Sequence, residues 1–162
     1  MSMKKLARKM HRRKKGKYPF TIDACPLSGK PQFPTHTHGL AKLGMPEFIM
    51  DPFAFGPYGN AGRINAAYDY FSKAENADKL AAILNGKTVK LTRKDLRPDS
   101  KGKGPYTYCF RAVSADFEGV KLAYSYGHNR GDDIANARII QIYVEGDTYA
   151  LTDEYYKGGV TW

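Results

Sequence analysis

Between Phe33 and Asp51 the chain reads FPTHTHGLAKLGMPEFIMD, two short extended segments joined by a glycine-containing connection. If Phe33–His38 is extended, Thr35 and Thr37 share one face and His36 and His38 the other. Gly39-Leu40 ends that segment, Ala41–Gly44 makes a short turn, and Pro46–Met50 resumes as a short continuous apolar run of the kind buried in a sheet. Two strands this close in sequence belong side by side, which commits the chain to a sheet with antiparallel neighbours.

The rest of the chain supplies partners for that unit. Tyr18–Asp23 alternates at Phe20 and Ile22, and Pro19 suits an edge or a strand start. Cys25–Pro34, with three prolines and a glycine, is a loop. Asn60 is placed to cap a long helix over about 61–84, whose apolar residues from Ile64 to Leu84 follow the helical period and which Asn85-Gly86 stops. Lys87–Leu91 alternates as a half-exposed strand, and Arg93–Pro105 reads as a mobile basic loop. Tyr106–Val113 is the strongest strand signal, Ala137–Glu145 a central strand, and Gly146-Asp147 a turn into a last strand at Tyr149–Leu151. An irregular tail anchored by Tyr155, Tyr156 and Trp162 closes the chain. This order predicts an α+β fold: a mixed, mainly antiparallel sheet with one long and one possible short helix.

The residues Thr37-His38-Gly39-Leu40 and Gly44-Met45-Pro46-Glu47 resemble the Thr-x-Gly-Leu…Gly-x-Pro-Glu signature of a small bacterial and phage family known as domain of unknown function 4262. His38 stands where that pattern has an apolar residue. The resemblance implies a domain type and no activity. It favours a helix within Asp116–Gly127, where Val120, Leu122, Tyr124 and Tyr126 would otherwise alternate as in a strand.

Charge divides the chain in two. Lys4, Lys5, Arg8, Lys9, Arg12, Arg13, Lys14, Lys15 and Lys17 give residues 1–17 nine basic side chains and no acidic one. The chain as a whole carries +10, so residues 18–162 are left with +1. The expected organisation is a basic N-terminal arm, 1–17, on a single domain, 18–162. Like charges this dense repel, so the arm does not fold alone, and it suits a polyanion whose counterions it would release. Seven basic residues against two acids at 87–103 make a second cluster that includes Lys90, Arg93, Lys94 and Arg97. Two distant cysteines exclude a disulfide framework and point to a reducing, cytoplasmic setting. No apolar run reaches the roughly 18–20 residues of a membrane span, and no apolar segment follows the basic N-terminus as in a secretory signal, so no membrane partner is expected.

Candidate chemistry centres on the histidines. His36 and His38 project together, and Glu47, Asp51 or His128 are the candidate third ligands to a metal. A bare His-x-His lacks the longer spacing that makes a zinc motif specific, so the sequence assigns neither metal nor cofactor. His128-Asn129-Arg130 with Asp132-Asp133 offers acid–base groups on a glycine-bracketed loop. The glycine-rich approach to the helix near Arg63 has neither of the phosphate-loop spacings. Tyr106, Tyr108, Tyr124, Tyr126, Tyr143 and Tyr149 beside the 87–103 cluster could stack bases, although alternating tyrosines more often pack.

The leading expectation is a non-enzymatic binding protein that docks on nucleic acid or a ribonucleoprotein through the arm and the second basic patch. One competing expectation is a small hydrolase or nucleotide-binding enzyme using His36, His38 and Glu47, with His128 as a further catalytic candidate. Another is a phage-type or immunity-type protein that inhibits a host enzyme through a protein contact.

Overall fold

Alternation at single-residue spacing decides which way each strand faces in the computed structural model, which describes residues 18–25, 31–100, 104–125 and 134–160. The basic arm, His128 with its neighbouring polar loop, Tyr126 and Trp162 lie outside the described residues. The strands are β1 (Thr21–Asp23), β2 (Thr35–His38), β3 (Glu47–Met50), β4 (Val89–Thr92), β5 (Thr107–Val113) and β6 (Ile139–Val144). They form one sheet in the order β1-β2-β3-β6-β5-β4. Four of the five pairings are antiparallel, and β3 with β6 is parallel. The fold is α+β, as the order of elements predicts.

Both faces of the sheet are covered. Phe48 and Met50 of β3, Ile140 and Ile142 of β6, and Tyr108 and Phe110 of β5 point to one side. There they pack against α1 (Gly56–Phe71), α2 (Ala77–Leu84) and Leu96 of α3 (Arg93–Leu96). The intervening residues Ile49, Ile139 and Val113 point the other way, onto Val120, Ala123 and Tyr124 of α4 (Glu118–Tyr124), with α5 (Asp153–Tyr156) beside it. An interior strand covered on both sides needs apolar residues at every position, which is what the Ile139–Ile142 stretch of β6 has, broken only by Gln141. Edge strand β4, by contrast, is largely exposed.

Three expectations need correction. The single helix over about 61–84 is two helices, and the first starts at Gly56, with Phe55 rather than Asn60 at its N-cap. Pro57 fits the first turn, where the backbone N–H it lacks has no helical partner. The break follows Phe71: the Ser72 hydroxyl bonds back to the Tyr68 carbonyl, and the Asn76 amide takes the Tyr70 carbonyl at 2.8 Å. Arg93–Pro105 is not wholly loop, because Thr92 and Asp95 close a capping box around α3. Tyr149–Leu151 is a 3₁₀ turn, Thr148–Leu151, and not a strand. Gln141 Nε2 donates to the Ala150 carbonyl (2.7 Å) and Arg111 Nη2 to that of Leu151 (3.2 Å), so side chains hold acceptors that a sheet ladder would use. Among the described residues no helix is long and apolar enough to cross a membrane.

Candidate functional site

The antiparallel register of β1 on β2 sets Asp23 opposite His36, and Thr21 opposite His38. Period-two geometry then puts Asp23, His36 and His38 on one face of the sheet, the one that α4 covers. His38 Nε2 lies 3.0 Å from Asp23 Oδ2, and His36 Nε2 lies 3.9 Å from the same oxygen. One ligand atom from each of the three residues falls within 4.8 Å of the other two. Both imidazoles are buried, while the Asp23 side chain is 19% exposed.

The histidine orientations are held from outside the cluster. His36 Nδ1 is 2.7 Å from the Pro34 carbonyl, which can only accept, so Nδ1 carries a proton and Nε2 is turned towards Asp23. Tyr124 packs edge-on against both imidazoles, with centroids 4.7 Å from His36 and 5.5 Å from His38. Its hydroxyl donates to the Thr37 carbonyl at 2.9 Å, which ties α4 to β2. Phe33 closes on His36 at 5.5 Å, and its backbone N–H donates to Cys25 Sγ (3.4 Å). Burial pushes the Cys25 thiol up, more than that hydrogen bond lowers it, so the sulfur is a packed thiol.

Asp23 is the member that sequence reasoning missed. Two of the three candidate third ligands considered there, Glu47 and Asp51, lie elsewhere. Glu47 sits buried in the mouth of the β2–β3 hairpin. Its carboxylate accepts from the Thr37 hydroxyl (2.8 Å), the Leu40 amide (3.2 Å) and the Ala41 amide (2.9 Å). Thr37 Oγ1 in turn accepts from the Phe48 amide at 2.9 Å. Gly44, at φ 75°, adopts the left-handed conformation that closes the 3₁₀ turn Ala41–Leu43. The Thr37…Glu47 signature is therefore a brace for a tight connection. Asp51 accepts from the Tyr155 hydroxyl (2.8 Å), and its own carbonyl takes the Asn60 amide (2.8 Å). His128 lies outside the described residues.

The second basic cluster is only partly free. Lys90 pairs with Glu145 (2.7 Å) and Arg97 with Asp69 (2.6 Å), whereas Arg93 and Lys94 are exposed. Arg93 runs so close over Gly104 that a methyl group added there would lie 3.1 Å from its Cδ. Two residues on, Tyr106 is 42% exposed and packs edge-on against Phe55 at 5.2 Å. Tyr108 and Tyr124 are buried, Tyr143 is half-buried, and exposed Tyr149 packs against Tyr155. Tyr106 thus combines exposure with a place two residues from the Gly104 that Arg93 overlies. Arg63 is held inside the fold, its guanidinium 3.4 Å from the Phe55 ring centre and bonded to the Tyr108 hydroxyl and the Gly59 carbonyl.

Tyr18, the first described residue, is buried against Phe20 and Tyr68. Its hydroxyl donates to Asp69 Oδ2 at 3.0 Å, the oxygen that also holds Arg97. The Tyr18 hydroxyl is therefore held beside Arg97, just past α3. Comparison of the chain with known protein families, curated proteins and solved structures finds no match.

Proposed function

We propose that this chain is a binding protein that docks on nucleic acid or a ribonucleoprotein, with residues 1–17 as its main phosphate contacts. The observation that carries the reading is the attachment of the nine-cation arm at Tyr18, which shares Asp69 with Arg97 at the end of the second basic cluster. Tyr18, next in sequence after the arm, and Arg97 of the second cluster thus meet on one surface. Arg93 and Lys94 extend it, and Tyr106 adds an exposed ring on which a base can stack. Lys90 joins when a phosphate displaces Glu145, since an exposed pair is readily exchanged. Such contacts fix affinity and position without reading sequence.

The test compares the full chain with a chain starting at Tyr18, on single- and double-stranded RNA and DNA across a salt series. Each arm cation that meets a duplex phosphate steepens the slope of log K against log salt by about 0.9. The truncated chain is expected to bind more weakly and with a flatter slope. Equal affinity and equal slope for the two chains would refute the docking role of the arm.

A further inference from the structure

We propose that Asp23, His36 and His38 form a binding site for one divalent transition-metal ion, zinc in the first instance. This site is independent of the basic surface and of the docking reading. A tetrahedral zinc ion with ligands at about 2.0–2.1 Å needs ligand atoms spaced by about 3.3 Å. The separations of 3.0 and 3.9 Å about Asp23 Oδ2 bracket that value, and all three ligand atoms lie within 4.8 Å of one another, so the two histidines need approach each other by no more than about 1.5 Å to share one ion. The donor set of two imidazoles and one carboxylate suits zinc and its first-row neighbours. Magnesium and calcium prefer oxygen throughout.

Two further observations favour a metal over an ordinary polar pair. The Pro34 carbonyl accepts from His36 Nδ1–H and turns Nε2 to the cluster, which is how metal-bound histidines are commonly oriented from behind. The Tyr124 and Phe33 rings wall the imidazoles, giving the apolar surround that strengthens ligation. Three protein ligands leave a fourth position, and partly exposed Asp23 marks the side from which water or a small anion reaches it. The ion would also clamp edge strand β1 to β2, since Asp23 comes from one and both histidines from the other.

The experiment uses the full-length, untagged chain, stripped with chelator and titrated with Zn²⁺ and with Co²⁺, whose visible spectrum reports tetrahedral nitrogen–oxygen ligation. One equivalent is expected to bind and to raise the melting temperature. Asp23→Asn keeps the shape of the side chain and is expected to weaken binding by more than the roughly 10–100-fold typical of losing an outer-sphere partner. It should also abolish the thermal shift while leaving the far-ultraviolet circular dichroism intact. His38→Gln should behave likewise, and His11→Asn with His128→Asn should bind as the parent does. No stoichiometric binding by the parent, undiminished binding by Asp23→Asn, or loss of binding in the His11 and His128 variants would each overturn the site.

Discussion

At the scale of single residues, the fate of each polar side chain turns on what lies across the strand from it. Glu47 shows this best, because it is fully buried and holds three donors at once. Glu47→Ala leaves the Thr37 hydroxyl and two amides without that acceptor, at roughly 1–3 kcal/mol per group before relaxation. The net loss is expected to be about 3 kcal/mol, read as a lower urea midpoint at unchanged slope, and Glu47→Gln should lose less. Asp51 gives a pH signature. Burial raises its carboxyl above the ordinary 3.8, with Tyr155 and the Phe53 amide opposing and Asp147 reinforcing. A carboxyl held above its unfolded value keeps its proton longer in the native state, so its contribution is intact below 3.8 and worsens as pH climbs through the raised value. Asp51→Asn escapes that decline, so its stability relative to the parent should improve from about pH 3 to about pH 7 in denaturation series. His36 and His38 could be placed on a common face from sequence, because alternation is local. Asp23 could not be matched to them, because the register between β1 and β2 is set by pairing across a loop.

At the scale of elements, most strands were legible and the helix ends were not. Strand signals came from alternation over several residues, which the packed faces reward directly. Helix ends depended on single side chains with competing uses. Asn60 has the character of a cap, yet it is buried inside α1, where its Oδ1 accepts from the Phe55 amide and its Nδ2 donates to Thr35 and Asp51. Asn76 likewise interrupts the helical run by taking a carbonyl. The one-turn helix α3 was readable in Thr92-Arg93-Lys94-Asp95, a capping-box spacing with Asp in place of the usual Glu or Gln. Asp95 answers the Thr92 amide at 2.8 Å, and that bond is the main cause holding its carboxyl below the usual range. Thr92→Ala is expected to destabilise the fold by about 1 kcal/mol, as loss of an N-cap does, and chemical denaturation measures it directly.

At the scale of the whole molecule, charge segregation was visible in the sequence because it is a sum over residues and needs no contacts. What it could not show is that Tyr18, next in sequence after the arm, and Arg97 of the second cluster meet at Asp69. The truncation starting at Tyr18 keeps every core residue described here, so its melting temperature should match that of the full chain within a few degrees at moderate salt. Sheet order was equally hidden, because the one parallel pairing joins β3 to β6 across more than half of the chain. That seam has a consequence for biosynthesis. The early meander β1-β2-β3 leaves the ribosome with one side of β3 bare, and its covering strand is among the last segments made. Completion must then wait for nearly the entire polypeptide, so a nascent chain halted before Ile139 would expose an unzipped margin to holdases and to its own copies.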